Sequence, residues 1–138
     1  MEKWRFERCR ETLKKYPSMA QHIQQIEEEI RHPYRQLDVN SDIKGNGKNT
    51  DAMFNTLWRI ENEKAISQLK ASQAIIEDML EECGNDTETI IRELYIRKYP
   101  EYTMQGLVKN LKVSCGRNKA IELRNKFFCE LDKKLNNI

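Results

Sequence analysis

No apolar run in this sequence approaches the 18 residues needed to cross a bilayer as a helix, so no membrane span is expected. The first residues, MEKWRFERCRE, lack the apolar core of a signal peptide, and the expectation is a cytoplasmic protein. Histidine is nearly missing, with only His22 and His32. The four cysteines at 9, 83, 115 and 129 form no CxxC pair and have no histidine at zinc-like spacing. They read as reduced thiols, with no metal site and no cofactor implied. No Ser/His/Asp or Cys/His set occurs in a recognisable context. The acidic runs at 27–29 and 81–82 sit where helical carboxylates face solvent and do not converge on a substrate. No residue can be given a catalytic role, and the expectation is a protein that is not an enzyme.

Chain breakers are scarce too, with five Gly and three Pro in 138 residues. Charged residues make up 33% and hydrophobic ones 38%, with a mean hydropathy of −0.83. That balance suits an all-α protein with long solvated faces. The net charge of +2 conceals a gradient. Residues 51–93 carry four bases and ten acids, whereas residues 103–138 carry eight bases and three acids. One end of the chain is built to meet phosphates and the middle to avoid them.

Read in order, residues 2–15 form a basic helix with Phe6, Cys9 and Leu13 on its apolar side and Trp4 beside them. Tyr16-Pro17-Ser18 breaks it, because the residue before proline leaves the helical region. Ser18 then caps a second helix carrying Met19, Ile23, Ile26 and Ile30 as a narrow seam, stopped by Pro33. Residues 33–50 form an irregular connector. Its GNG with Lys44 and Lys48 lacks the spacing and preceding strand of a phosphate loop. From 51 to 83 there is neither Gly nor Pro, which predicts one long helix. Its second half carries Ala65, Leu69, Ser72, Ile76, Met79 and Cys83 at coiled-coil spacing, either the spine of the monomer or a homodimer contact. Its first half has Phe54, Leu57, Trp58 and Ile60, suited to packing under the N-terminal helices. Gly84-Asn85-Asp86 ends the long helix, and Asp86 or Thr87 opens the next.

The last third has the pattern of a three-helix helix-turn-helix module. Residues 88–99 make a first helix, with Ile90, Ile91, Leu94 and Tyr95 apolar. Leu107, Val108 and Leu111 edge a short scaffold helix. Val113 turns inward at the corner, and Ser114 is placed to cap a basic reading helix whose Ile121, Phe128, Leu131 and Leu135 face the core. The chain thus divides at residue 84, with a helical N-terminal and oligomerisation region at 1–84 and a DNA-binding module at 85–138.

These features together resemble the RinA-type transcriptional regulators of temperate phages of Gram-positive bacteria. The likeness runs from a YP-containing helix pair through Glu29, Ile30 and Pro33 and the Asn/Gly-rich connector from Val39-Asn40 to Gly47-Lys48. A long acidic helix follows, and then a terminal module similar to region 4 of sigma factors. Tyr102-Thr103-Met104 matches the start of its scaffold helix, Leu111-Lys112-Val113-Ser114 its corner and residues 117–124 its reading helix. Cys115 and Gly116 depart from it, standing where such modules place polar base readers. The resemblance implies activation of phage late and packaging genes in the bacterial host cytoplasm through double-stranded promoter DNA; a further reading, carried by charge alone, is that the acidic middle contacts host RNA polymerase. The expected DNA contacts are Arg117, Asn118 and Lys119 on base edges, and Lys109, Lys112, Arg124 and Lys126 on phosphates. Ser114 is expected to touch a phosphate as it caps the helix. A second reading is a packaging adaptor, similar to a small terminase, that binds DNA through the same module and assembles through the narrow seams.

Overall fold

The computed structural model describes residues 1–31 and 47–138. Among these residues it is all-helical: α1 (Lys3–Arg31), α2 (Gly47–Glu82), α3 (Asn85–Ile91), α4 (Met104–Lys109) and α5 (Arg117–Asn136). No described helix is long and apolar enough to cross a membrane. The chain forms two compact units, one of residues 1–19 with 71–138 and one of residues 20–70.

The break expected at residues 16–18 does not occur. α1 runs through Pro17, which costs the backbone bond its nitrogen would have donated. Burial on both sides outweighs that loss, since Leu13 and Met19 are both sequestered while Pro17 itself faces solvent. Ser18 caps nothing, and its hydroxyl instead donates to the Lys15 carbonyl at 2.9 Å. Cys9, Leu13 and Met19 in one unit and Ile23 and Ile26 in the other are therefore buried along a single helix, where the sequence suggested two. At its other end, α2 begins at Gly47, so the last four residues of the expected connector are helical. The rest of the connector lies outside the described residues.

In the unit of residues 20–70, Ile23 and Ile26 of α1 are buried, and Ala65, Ile66 and Leu69 of α2 are half-buried. Lys70 Nζ pairs with Glu27 Oε1 at 3.2 Å. The early face of α2 is not packed as expected. Phe54, Leu57 and Ile60 remain exposed, and only Trp58, on the side that continues to Ala65 and Leu69, is half-buried.

In the other unit the start of α1 joins the C-terminal helices. Phe128 is fully buried between Phe6, at 4.6 Å between ring centroids, and Tyr95, edge-on at 4.9 Å. Cys9 Sγ donates to the Phe128 carbonyl at 3.7 Å. Burial, with the nearby Asp132 carboxylate, pushes the Cys9 thiol up to about 11. Asp132 itself is buried, and Arg8 Nη2 reaches its Oδ1 at 2.5 Å and Asn136 Oδ1 at 2.7 Å. Arg5 Nη1 stands 3.7 Å from its other oxygen. Ile76, Met79 and Leu80 of α2 fill the same core, so the lower part of the coiled-coil seam is part of the monomer's spine. Gly84, at φ 89°, makes the left-handed step between α2 and α3 that a side chain would resist. α3 continues into a π-helical turn, Arg92–Ile96, closed by the Arg97 amide on the Arg92 carbonyl at 2.9 Å. The helix expected at 88–99 thus starts earlier and ends earlier.

Two substitutions test this packing. Asp132→Ala strands two guanidinium groups and is expected to lower unfolding free energy by about 2–4 kcal/mol in urea titration. Pro17→Ala restores a helical hydrogen bond at an exposed position and is expected to raise it by about 1–3 kcal/mol. A loss for Pro17→Ala would mean the helix exploits the proline.

Candidate nucleic-acid interface

The corner between α4 and α5 is built from its residues inward. Thr103 caps α4, its Oγ1 accepting the Gly106 amide at 3.1 Å. α4 then lasts six residues, and Asn110 and Leu111 turn out of it. Leu111 adopts φ 55° and is 85% exposed, so it does not extend the apolar edge of the scaffold helix as its spacing implied. The helix ends two residues before it, and the left-handed backbone swings its side chain into solvent. Val113 does turn inward. With Ile90 of α3, Leu107 of α4 and Ala120 of α5 it forms a buried cluster, flanked by Leu94, Tyr102, Met104, Val108, Cys115 and Leu123. Four small or medium apolar side chains thus fix α3, α4 and α5 around one corner.

Ser114 occupies a different role from the expected cap. α5 starts at Arg117 with Gly116 as its N-cap, which supplies no side-chain bond. Ser114 gives its hydroxyl proton to Asp86 Oδ2 at 2.6 Å and its amide proton to Asp86 Oδ1 at 3.1 Å. Neither donor is left to present to a phosphate. These two bonds, the hydroxyl's first, hold the Asp86 carboxyl below the usual carboxylate range. The tether anchors the corner to the start of α3. Nothing in the spacing of residues 86 and 114 signals it, because it is a contact across 28 residues.

The remaining candidates fall into four groups. Lys109 and Lys112 stand exposed at the end of α4 and in the corner, Lys112 with its ammonium 5.9 Å from the Tyr102 ring centre. Arg117, Asn118 and Lys119 form the exposed first turn of α5, where unpaired backbone amides add positive potential. Lys119 Nζ lies 3.7 Å from Glu122 Oε2, an exposed pair of little energetic weight. Lys126 lies opposite Arg117 by helical rotation but, seven residues beyond Lys119, on the same side of α5 as Lys119. It lines a cavity of about 230 Å³ with Met79, Cys83, Thr87 and Phe127, among others. Arg124 is apart from all of these. Its Nη1 donates to Tyr95 Oη at 3.3 Å, Nε and Nη2 reach Asn125 Oδ1, and the guanidinium lies 5.3 Å from the Phe6 ring centre. It is half-buried and braces α5 against the helices behind it.

The exposed Tyr99 with Lys98, its ammonium 5.5 Å from the ring centre, adds an aromatic and a base just before α4. The sequence reading did not single it out, although a Lys-Tyr-Pro run beside a basic module was a signal for it.

The chain belongs to the family described as "Protein of unknown function (DUF722)", which matches residues 6–133. Neither the curated proteins nor the solved structures contain a match to it.

The Asp86–Ser114 tether has a pH signature. A carboxyl depressed in the folded state contributes stability above its ordinary range and loses it as pH falls through the lower, folded value. The corner is therefore expected to loosen only in acid below about pH 4. Ser114→Ala should return the Asp86 titration toward the ordinary carboxylate value in a side-chain NMR titration. An unmoved titration would show that the hydroxyl does not hold the carboxylate.

Proposed function

We propose that this DUF722 protein is a sequence-specific DNA-binding transcriptional regulator whose α4, corner and α5 act as a helix-turn-helix. The observation that carries the reading is the cluster of Ile90, Leu107, Val113 and Ala120. It leaves α4 short and the basic first turn of α5 free, with its polar side chains outward. In this reading Arg117, Asn118 and Lys119 address base edges in the major groove, a geometry in which arginine pairs with guanine and asparagine with adenine. Lys109 and Lys112 meet phosphates on the flanking backbone, and Lys126 does so two turns along α5 from Lys119. Ser114 and Arg124 hold the module in shape through Asp86 and Tyr95.

The resemblance to RinA-type regulators supports activation of phage late genes through promoter DNA, and the acidic charge of residues 51–93 is what supports host RNA polymerase as a partner. A second reading, a DNA-packaging adaptor, draws support from the apolar side chains left exposed on α2, since an adaptor must assemble.

A salt-dependent titration against promoter DNA from the source genome and random duplex of equal length tests the proposal. The promoter is expected to win by about a thousandfold or more. Arg117→Ala should cost about 1–3 kcal/mol on the promoter and relax specificity locally, whereas Lys126→Ala should weaken both duplexes alike and reduce the salt slope by about one. Equal losses on both duplexes for Arg117→Ala would remove it from the base-reading set. Weak, equal binding by the unaltered protein would refute the regulator.

A further inference from the structure

The cavity of about 230 Å³ that Lys126 lines lies wholly within the unit of residues 1–19 and 71–138. The end of α2, the start of α3 and one side of α5 enclose it. Met79 and Phe127 are buried and Leu123 is half-buried, and together they give it an apolar wall. Thr87 is 5% exposed and lines the same space. Thr89, two residues on, donates its hydroxyl proton to the Asn85 carbonyl at 2.9 Å, whereas the Thr87 hydroxyl makes no hydrogen bond among the described residues. A sequestered hydroxyl without a partner is a cost that an acceptor on a ligand removes.

The charges around the cavity are of both signs and do not satisfy one another. Glu82 of α2 and Lys126, Glu130 and Lys134 of α5 line it, and none of the four forms an ion pair among the described residues. α2 also ends against the usual electrostatics. The carbonyl end of a helix favours cations, yet the last turn of α2 holds Glu81 and Glu82 and no base. The α2 wall is therefore negative and lacks a cation, while Lys126 and Lys134 bring ammonium groups to the α5 wall. At about 30 Å³ per water in the liquid, the volume suits one molecule of roughly ten non-hydrogen atoms.

We propose that this cavity binds a free α-amino acid with an apolar side chain, of about the size of leucine. Its ammonium meets Glu82 and the carbonyl end of α2, supplying the cation that the helix lacks. Its carboxylate accepts hydrogen bonds from the Thr87 hydroxyl and the Lys126 ammonium, and its side chain lies on Met79, Leu123 and Phe127. A ligand of single charge leaves one wall uncompensated. An uncharged apolar one leaves both walls and Thr87 as they are. The site stands apart from the DNA-binding reading and is tested without DNA.

Isothermal titration calorimetry of the full chain with L-leucine, at neutral pH and low salt, tests the site. One molecule per chain is expected to bind, with a Kd below about 1 mM. The amine 3-methylbutylamine lacks the carboxylate, and 4-methylpentanoate lacks the ammonium. Each should bind about tenfold more weakly or worse, having lost one charge-assisted contact. Thr87→Val keeps the shape and removes only the hydroxyl, so the melting temperature should hold or rise while leucine affinity falls about tenfold. Glu82→Lys, at an exposed site, puts a cation at the helix end from within the chain. It should raise the melting temperature and abolish binding. No heat from L-leucine, L-valine, L-methionine or L-phenylalanine up to about 10 mM would overturn the proposal. So would binding of the amine or the carboxylate as tight as that of leucine, or leucine affinity unchanged in either variant.

Discussion

Burying a carboxylate is costly unless cations meet it, and the arrangement around Asp132 follows from that constraint. Arg8 and Arg5 converge on it from α1, and Arg8 also reaches the Asn136 amide oxygen one turn further along α5. The geometry fixes the register of α1 along α5. Only in that register does Phe6 stack on Phe128 and Cys9 rest on its carbonyl. The pairing is imperfect as a source of stability, because Nε of both arginines is buried without a partner among the described residues. Its larger effect is on which packing is chosen. Slipping α1 by a residue would leave Asp132 charged and alone.

The same division between energy and placement applies at the corner. The Ile90–Leu107–Val113–Ala120 cluster supplies the apolar energy. The exposed Asp86–Ser114 pair contributes position, by clamping the loop before α5 to the start of α3. Arg124 does similar work from behind, trading a free cation for a contact with Tyr95 and the Phe6 ring. A basic residue on α5 can thus serve the packing of its own helix.

Much of this was legible where periodicity decides. The all-helical class, the long α2, the inward Val113 and the buried Phe128 and Leu131 all follow from spacing. The failures share a cause. Pro17 and Ser18 carry strong local signals that burial of Leu13 and Met19 overrode, and Ser114 was claimed by a carboxylate 28 residues away. Leu111 fits an apolar helical position, yet its helix had already ended. Phe54, Leu57 and Ile60 are apolar at helical spacing, and spacing cannot say whether the face is covered by the same chain. Sequence reports what a segment prefers, and these positions were settled by what other segments offered.

The division of the chain has a consequence for how it is made. Residues 1–19 share a compact unit with residues 71–138, and the Arg8–Asp132 contact spans 124 positions. During synthesis from the N-terminus, the first turns of α1 leave the ribosome long before their partners on α5 exist. Phe6, Cys9 and Leu13 must wait, exposed or loosely held, until residues 128–136 have been translated. The unit therefore closes only once residues 128–136 have emerged, in one step that joins segments 124 positions apart. A chain of this topology depends during that interval on whatever shields its apolar N-terminal stripe from neighbours on the same polysome.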